Sequence, residues 1–313
     1  APPLPPHPAP VIEPLNETLA PRPTAKAVTV VVPAFNEAAH IAEEMRVLDA
    51  AMQKTGWEYE LLIIDDGSTD GTADAASNAG FRVLQRRQNR GYGAALKAGT
   101  RNAKYPWILI TDADGTYPVE SIPELLALTE HNDMVVGARI GNTVKIPLIR
   151  RPAKAFLRWL ASYLAERPLP DINSGMRVMH RTLIEKYEHL LPDGFSFTTT
   201  ITLATACNKH PVVYHPIDYH ARLGNSKIRA KHAIDFTLLI LRIIIVFNPL
   251  KVFVPLGFFL GVVGIGKFVY DIFRDNLSES AVLGILGASL MWAVGMLADQ
   301  NARLSNKKEP VQR

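Results

Sequence analysis

A run without a single charge, from Ala281 to Ala298, limits more than any other feature what this chain can fold into. It follows a second apolar run, Val252 to Phe273, whose length of about 22 residues suits the hydrocarbon core of a bilayer. Lys267 and Asp271 lie in the last third of that run, close enough to one interface to snorkel. Between the runs, Arg274 to Ser280 is a short polar turn. Lys251 precedes the pair, and Arg303, Lys307, Lys308 and Arg313 follow it. The spacing predicts a transmembrane hairpin over 251–300 with a basic tail at 301–313. The excess of Lys and Arg on the two flanks puts the tail, the N-terminus and everything preceding the hairpin in the cytoplasm. A buried hairpin of a soluble protein would need two helices apolar on every face. Ahead of it, Ile234 to Phe247 is apolar but carries Asp235 and Arg242, and Pro249 stops it. It is too short to span, so 231–250 is expected to hold a membrane-interface helix.

The rest of the chain has the make-up of a folded domain. Of 313 residues, 48% are hydrophobic and 20% charged, enough for a sizeable core. The net charge of +4, with no dense Lys/Arg stripe interleaved with aromatics, excludes a nucleic-acid partner and suits phosphates or an anionic membrane face. A lone cysteine, Cys207, excludes an intrachain disulfide and a Cys-based zinc cluster. Nothing near Ala1 reads as a basic stretch followed by an apolar run, the pattern of a signal peptide. Residues 1–26 are proline-rich and read as an extended or disordered tail.

From Ala27 apolar runs alternate with helical patterns. Strands are expected at Val28–Val32, stopped by Pro33, then at Tyr59–Ile64, Phe81–Leu84, Trp107–Thr111, Asp133–Gly137 and Val212–Asp218. Helices are expected up to Met52, at Ala73–Ala79, from Gly91 to about Ala103, and at Val119–Thr129, His180–Leu190 and Thr198–Cys207. Strand alternating with helix means an α/β domain with a mostly parallel sheet. Gly91-Tyr-Gly93 is a poor dinucleotide fingerprint: Leu96 stands where the third glycine is required.

The fourth strand ends in Asp112-Ala-Asp114, which presents two carboxylates at the carboxyl edge of the sheet, where open α/β sheets bind ligands. Carboxylates this close repel each other unless a cation stands between them. A hard divalent ion that also holds a diphosphate answers that requirement. Pro33, Phe35 and Glu37 follow the first strand and Asp66 ends the second, so all converge on one crevice. Glu37 also reads as an acid favouring a helix N-terminus, and Asp70 as a cap or turn residue. Further on, 141–151 is a basic loop with Lys145, Arg150 and Arg151, and 153–165 reads equally as a core helix or an in-plane membrane helix. Asp171 to Arg177 is a polar turn in which Arg177 reads as brace or as functional cation. His180, His210, His215 and His220 lack metal-ligand spacing.

In order along the chain, Val-Val-Pro-Ala-Phe-Asn-Glu37, Ile-Asp-Asp-Gly-Ser-Thr-Asp-Gly-Thr72, Asn-Arg-Gly-Tyr-Gly-Ala-Ala94 and Asp-Ala-Asp114 resemble the motifs of family 2 inverting glycosyltransferases of GT-A fold. Asp171-x-x-Ser-Gly-Met-Arg177 and Arg222-x-Gly-x-Ser-Lys227 resemble the dolichol-phosphate mannose synthase and polyprenyl-phosphate glucosyltransferase branch. The resemblance covers about 28–230, within a domain bounded at 27–230. It implies a GT-A (Rossmann-like) domain, followed here by the surface helix and the hairpin. It implies transfer of a hexose from a nucleotide sugar, GDP-mannose or UDP-glucose, to dolichyl or undecaprenyl phosphate. Pro33, Phe35, Glu37, Asp66, Asp112 and Ala113 would hold the donor. Asp112 and Asp114 would hold Mg²⁺ or Mn²⁺, with Thr116 or water where relatives place a glutamine. Arg139, Ser174, Arg222 and Lys227 would receive the acceptor phosphate, and Asp114, Arg139 and Arg222 would carry catalysis. The partners are then a nucleotide sugar, a polyprenyl phosphate and membrane lipid. Glycines 257, 261, 264 and 266 suit helix packing and a homo-oligomer. Two other readings are a polysaccharide-extending relative, which lacks support because no Gln-x-x-Arg-Trp is present, and an inactive membrane scaffold that binds nucleotide sugars.

Overall fold

The computed structural model describes residues 25–140, 159–163, 165–194, 196–219, 238, 241–242, 245–274 and 278–306. Three apolar runs become the centre of a sheet: β1 (Ala27–Ala34), β2 (Glu58–Asp65) and β4 (Trp107–Ile110). Successive side chains of a strand point to opposite faces, and here both faces are buried. Val28, Val30 and Val32 join Leu61, Ile63 and Leu109 in one core, while Val31 joins Leu62, Ile64, Ile108 and Ile110 in another. Burial on both faces is why these strands read as unbroken apolar runs. The first core is closed by α1 (Ile41–Gln53), which buries Ile41, Met45, Leu48 and Met52 at helical spacing, and by α4 (Ile122–Ala127). The second is closed by α3 (Tyr92–Arg101), α5 (Arg181–Tyr187) and α6 (Phe197–Cys207). With α2 (Thr72–Asn78), β3 (Arg82–Gln85), β5 (Met134–Ala138), β6 (Arg177–His180) and β7 (Val212–Pro216), the strands run in the order β3-β2-β1-β4-β6-β5-β7.

The sheet is mostly parallel, as expected, with β6 antiparallel to both β4 and β5. That strand corrects the sequence reading, which ended a turn at Arg177 and began a helix at His180. A four-residue strand holding a buried arginine has no apolar run to betray it. Pro33 does not stop β1 either: the strand continues to Ala34, with Pro33 opposite Ile64. Thr111 N–H donates to Val31 O while Asp66 N–H donates to Ala34 O, so odd positions face β4 and even ones β2. Pairing with β4 ends at Val31 and Ile110, so the missing N–H of Pro33 costs no ladder bond. The helix expected over 119–129 is broken into α4 flanked by two 3₁₀ turns, Val119–Ser121 and Leu128–Glu130. Pro123 suits only a first helical turn, so the α-helix starts around it.

Beyond the domain, Leu250–Ile272 (α7) and Glu279–Asn306 (α8) form two antiparallel helices, each long and apolar enough to cross a membrane. Small residues let them approach. A Cβ on Gly257 would stand 2.5 Å from Trp292 Nε1, and one on Gly264 would stand 2.7 Å from the Ile285 nitrogen. Three of the four expected packing glycines therefore face α8, since Gly261 meets Ala288, while Gly266 faces open space. Phe258, Phe259, Val262, Leu283, Leu286 and Leu290 stay exposed on the outside. Lys267 pairs with Asp271, whose second oxygen takes the Ser278 N–H, closing the turn. Of the expected interface helix before the hairpin, the described positions 238, 241–242 and 245–247 are helical. The N-terminal tail through residue 24, the 141–151 loop and the 307–313 tail lie outside the described residues.

Helix α3 lies flat on the sheet at Gly99, where a Cβ would run into Val31 Cγ1 and stand 3.3 Å from Ile64 Cγ1. Gly99→Val should lower unfolding stability by about 1–3 kcal/mol through overpacking. Thermal unfolding of the two forms in detergent checks this, and an unchanged midpoint would contradict it.

Candidate functional site

The strand order reverses at β1: the chain moves outward through β2 and β3, then returns to place β4 on the other side. Where β1 and β4 part, beyond Val31 and Ile110, a crevice opens. The loops after β1 and β2 are stitched together along one wall. Asn36 N–H donates to Ser68 Oγ at 2.9 Å, Thr69 N–H to Asn36 Oδ1 at 3.0 Å, Glu37 N–H to Thr72 Oγ1 at 2.9 Å and Ala38 N–H to Asp70 Oδ2 at 3.0 Å. Asp70 is thus the turn residue the sequence suggests. The Thr72 hydroxyl bond, outweighing slight burial, holds its carboxyl below the usual range. On this stretch Phe35 is exposed and Glu37 half-buried.

Asp66 is buried at the end of β2. Its carboxylate accepts the N–H groups of Arg90 at 3.1 Å and Gly91 at 2.7 Å, and Arg86 Nη1 stands 3.4 Å away. It therefore also anchors the loop that leads into α3.

Asp112 and Asp114 follow β4 directly. Thr116 donates its hydroxyl to Asp114 Oδ1 at 2.6 Å and is itself buried. Tyr92, from the first turn of α3, donates to Asp112 Oδ1 at 3.1 Å. Burial and the adjacent Asp112 charge hold the Tyr92 phenol well above its usual range, so it stays protonated and a donor. Glu44 of α1 reaches under the turn, where a Cβ on Gly115 would lie 2.6 Å from its Oε1. Burial, then the Asp114 charge, push the Glu44 carboxyl above its usual range. Among the described residues no three His, Cys, Asp or Glu side chains form a closed metal cage. The donor set nonetheless fits a hard divalent ion of the magnesium kind, which takes one or two carboxylates and completes its shell with substrate phosphates and water.

On the far side, Arg139 makes a bidentate pair with Asp171, Nε to Oδ2 at 2.8 Å and Nη2 to Oδ1 at 3.0 Å, and its own N–H adds a third bond at 3.1 Å. Its guanidinium also lies 5.3 Å from the Tyr219 ring centre, and Tyr219 meets Tyr117 edge-on. Burial alone would raise the Asp171 carboxyl, but the hydrogen bonds and charge of Arg139 outweigh it and hold the group below the usual range. Ser174 is fully buried, its hydroxyl aimed at Met176 O at 3.5 Å. Arg177 is equally buried and braces the turn to α6: Nε donates to Ser174 O at 3.1 Å, and Nη1 to Thr198 O at 3.2 Å and Thr202 Oγ1 at 2.9 Å. The brace reading of Arg177 is the one the geometry supports.

Pro33, Phe35, Glu37 and Asp66 thus stand at or just past the ends of β1 and β2, and Asp112, Ala113, Asp114 and Thr116 just past β4; Gly175 ties to Tyr117 and Arg139 to Asp171, while Ser174 is buried and turned to Met176 O. Arg222 and Lys227 lie outside the described residues. Sequence reasoning missed Tyr92, Glu44, Tyr117 and the partnership of Arg139 with Asp171, although Tyr92 and Asp171 stand inside the quoted motifs.

Residues 29–188 match the profile described as glycosyl transferase family 2. The chain belongs to that family. Its GT-A-type domain carries a hairpin at 248–304 that matches the profile described as the GtrB C-terminal hairpin. Among curated proteins it is 30% identical over 201 residues to a dolichyl-phosphate hexose transferase of Haloferax volcanii, covering 64% of this chain and 85% of that one. It is 32% identical over 169 residues to an undecaprenyl-phosphate 4-deoxy-4-formamido-L-arabinose transferase of Klebsiella pneumoniae, covering 52% of this chain and about half, 51%, of that one. Among solved structures, glucosyl-3-phosphoglycerate synthase of Mycobacterium tuberculosis in complex with Mn²⁺, UDP and phosphoglyceric acid superposes with a TM-score of 0.56 at 20% identity, covering 70% of this chain and 78% of that one. At that identity the likeness speaks for the fold.

The Arg139–Asp171 pair contributes stability that is full above about pH 4, where an unfolded-state aspartate is ionised. It is lost as pH falls through the lower folded-state value. Asp171→Asn should cost about 3 kcal/mol at neutral pH. That gap should narrow steadily below about pH 4, as read by unfolding at stepped pH. A gap of constant size down to about pH 2 would contradict the assignment.

Proposed function

We propose that this chain transfers a hexose from a nucleotide sugar of the GDP-mannose or UDP-glucose type to a polyprenyl phosphate, with inversion, at the cytoplasmic leaflet. The observation that carries the reading is the union, on one chain, of the family 2 crevice holding Asp112 and Asp114 with a hairpin that starts at Leu250. The names of the Haloferax and Klebsiella relatives, both lipid-phosphate sugar transferases, support the acceptor class.

In this reading the loop wall at Phe35 to Glu37, together with Asp66, receives the nucleoside. Asp112 and Asp114 hold Mg²⁺ or Mn²⁺, with Thr116 orienting Asp114. When bound, the ion neutralises the diphosphate as negative charge develops on it. A lipid phosphate oxygen attacks the anomeric carbon in line, its electron pair forms the new C–O bond, and the old C–O bond breaks with its electrons leaving on the nucleoside diphosphate. The configuration inverts. That oxygen is already an anion near neutral pH, so the reaction needs no general base. It needs cations that bring two anions together. Arg222 and Lys227 are proposed for that task, with Arg139 held in place by Asp171.

In nanodiscs containing polyprenyl phosphate and Mn²⁺, labelled sugar from one of the two donors should move into the organic phase. EDTA should abolish the transfer, and Asp114→Ala should reduce it by at least about 100-fold. Transfer to lipid that survives Asp114→Ala would sink the proposal, and nucleotide binding without any transfer would favour the scaffold.

The face that meets the membrane is proposed from the helix at 159–163. Trp159 and Tyr163 stack at 5.8 Å between ring centres and are exposed, and Lys251, in the first turn of α7, lies 2.8 Å from Glu166 and 5.9 Å from the Tyr163 ring centre. Exposed Trp and Tyr beside a spanning helix suit the headgroup level. Bilayers brominated near the headgroup should quench Trp159, so Trp159→Phe should reduce the quenched share of tryptophan emission. A raised or unchanged share would turn this face away from the lipid.

A further inference from the structure

Tyr92 stands between two glycines whose missing side chains make room for a passing backbone. A Cβ on Gly91 would lie 2.6 Å from Asp193 O, and one on Gly93 would run into Pro192 O. Ala94 N–H donates to Asp193 O at 3.0 Å. Lys97 Nζ donates to Leu191 O at 3.0 Å and pairs with the Asp193 carboxylate. The loop from Leu191 to Gly194 therefore clamps the first turn of α3 on both sides of Tyr92, and fixes the point from which its ring leaves the helix. Gly91-Tyr-Gly93 is thus a packing device, with the tyrosine as the side chain it aims.

The Tyr92 hydroxyl ends 3.1 Å from Asp112 Oδ1, with the phenol as donor. Facing it, Gly175 presents a bare Cα: a Cβ there would stand 3.0 Å from Asp112 Oδ2 and 3.1 Å from the Tyr117 hydroxyl. Tyr117 in turn accepts the Gly175 N–H at 2.6 Å, which holds the glycine in place. The Asp112 carboxylate occupies a slot with the Tyr92 phenol on one side and Gly175 on the other. Asp114, two positions on, carries a charge of the same sign, and like charges this close repel. The Tyr92 phenol restrains Asp112 as a neutral donor, adding no charge of its own.

We propose that Tyr92 is a positioning residue for Asp112, holding its carboxylate in the Gly175 slot in the orientation that receives the metal-bound nucleoside diphosphate. The inference rests on the donor reading above and adds a residue to it. Its logic is preorganisation: the clamp on α3 fixes Asp112 before the ligand arrives, so less order is lost on binding.

The test uses the full chain in detergent. Binding of GDP and of UDP in the presence of Mn²⁺ is measured by calorimetry for the parent, Tyr92→Phe, Asp112→Asn and the double variant. Tyr92→Phe keeps the ring and removes one bond to a charged group, so Kd for the recognised nucleotide should rise about tenfold. The thermal midpoint without ligand should move by no more than about 2 °C. In the Asp112→Asn background the same change should alter Kd by less than about twofold, because a residue acting through Asp112 has nothing left to orient. An equal Kd for the parent and Tyr92→Phe overturns the proposal. So does a tenfold loss repeated in the Asp112→Asn background, which would mean that Tyr92 acts independently of Asp112. Failure of the donor reading looks different: the parent itself would bind neither nucleotide, and both inferences would fall together.

Discussion

Parallel pairing between β1 and β4 stops at Val31 and Ile110, and the crevice exists because it stops there. Up to that point the two strands share a ladder and bury valine and isoleucine on both faces. Beyond it β1 leans on β2 alone, Pro33 leaves nothing unsatisfied, and β4 ends in charge instead of apolar surface. The carboxylates of Asp112 and Asp114 are therefore carried by a strand buried on both faces although they sit on a turn. Loops provide what else is needed, but each is tied back: Asn36 to Ser68 and Thr69, Asp66 to Arg90 and Gly91, Arg139 to Asp171.

Much of the sheet was legible because strands buried on both faces leave unmistakable runs: Val28 to Val32, Leu61 to Ile64 and Trp107 to Ile110 all became strands. The hairpin was legible for the same reason, since helices facing lipid or each other need no polar side. What escaped was short or carried its information in three dimensions. Strand β6 is four residues long and contains Arg177, a residue that argues against a core strand until its acceptors, the carbonyls of Ser174 and Thr198, are in view. Gly91 and Gly93 made only a poor dinucleotide fingerprint in the sequence, and their bare α-carbons in fact admit the backbone of 192–194. No spacing rule joins residues 91 and 193. Glu44 lay on the polar side of an amphipathic helix, and only the turn at Gly115 brings it beneath the aspartates.

The anionic and cationic halves of the crevice are treated differently by the fold. On the Asp112 side, neutral donors reach the two carboxylates, the Tyr92 phenol to Asp112 and the Thr116 hydroxyl to Asp114. On the Arg139 side, charge is paired at once by Asp171 and covered by Tyr219. Carboxylates held by neutral donors suit a site that takes up a cation, whereas a paired arginine keeps a fixed direction at the expense of some of its reach.

Arg177 adds something that its bracing role conceals. Among the described residues its guanidinium donates only to carbonyls, a threonine hydroxyl and a methionine sulfur, and to no carboxylate. Burial lowers its hold on the proton, yet arginine starts so high that the charge persists. It is near enough to Tyr92, Tyr117 and Asp171 to interact with each electrostatically. Arg177 therefore keeps a permanent positive charge in a low-dielectric setting that mobile ions cannot enter. Surface cations lose their pull within a Debye length as salt rises. Arg177 is not exposed to that screening, so its hold on Asp171 and on the turn beside it is built to outlast changes in ionic strength.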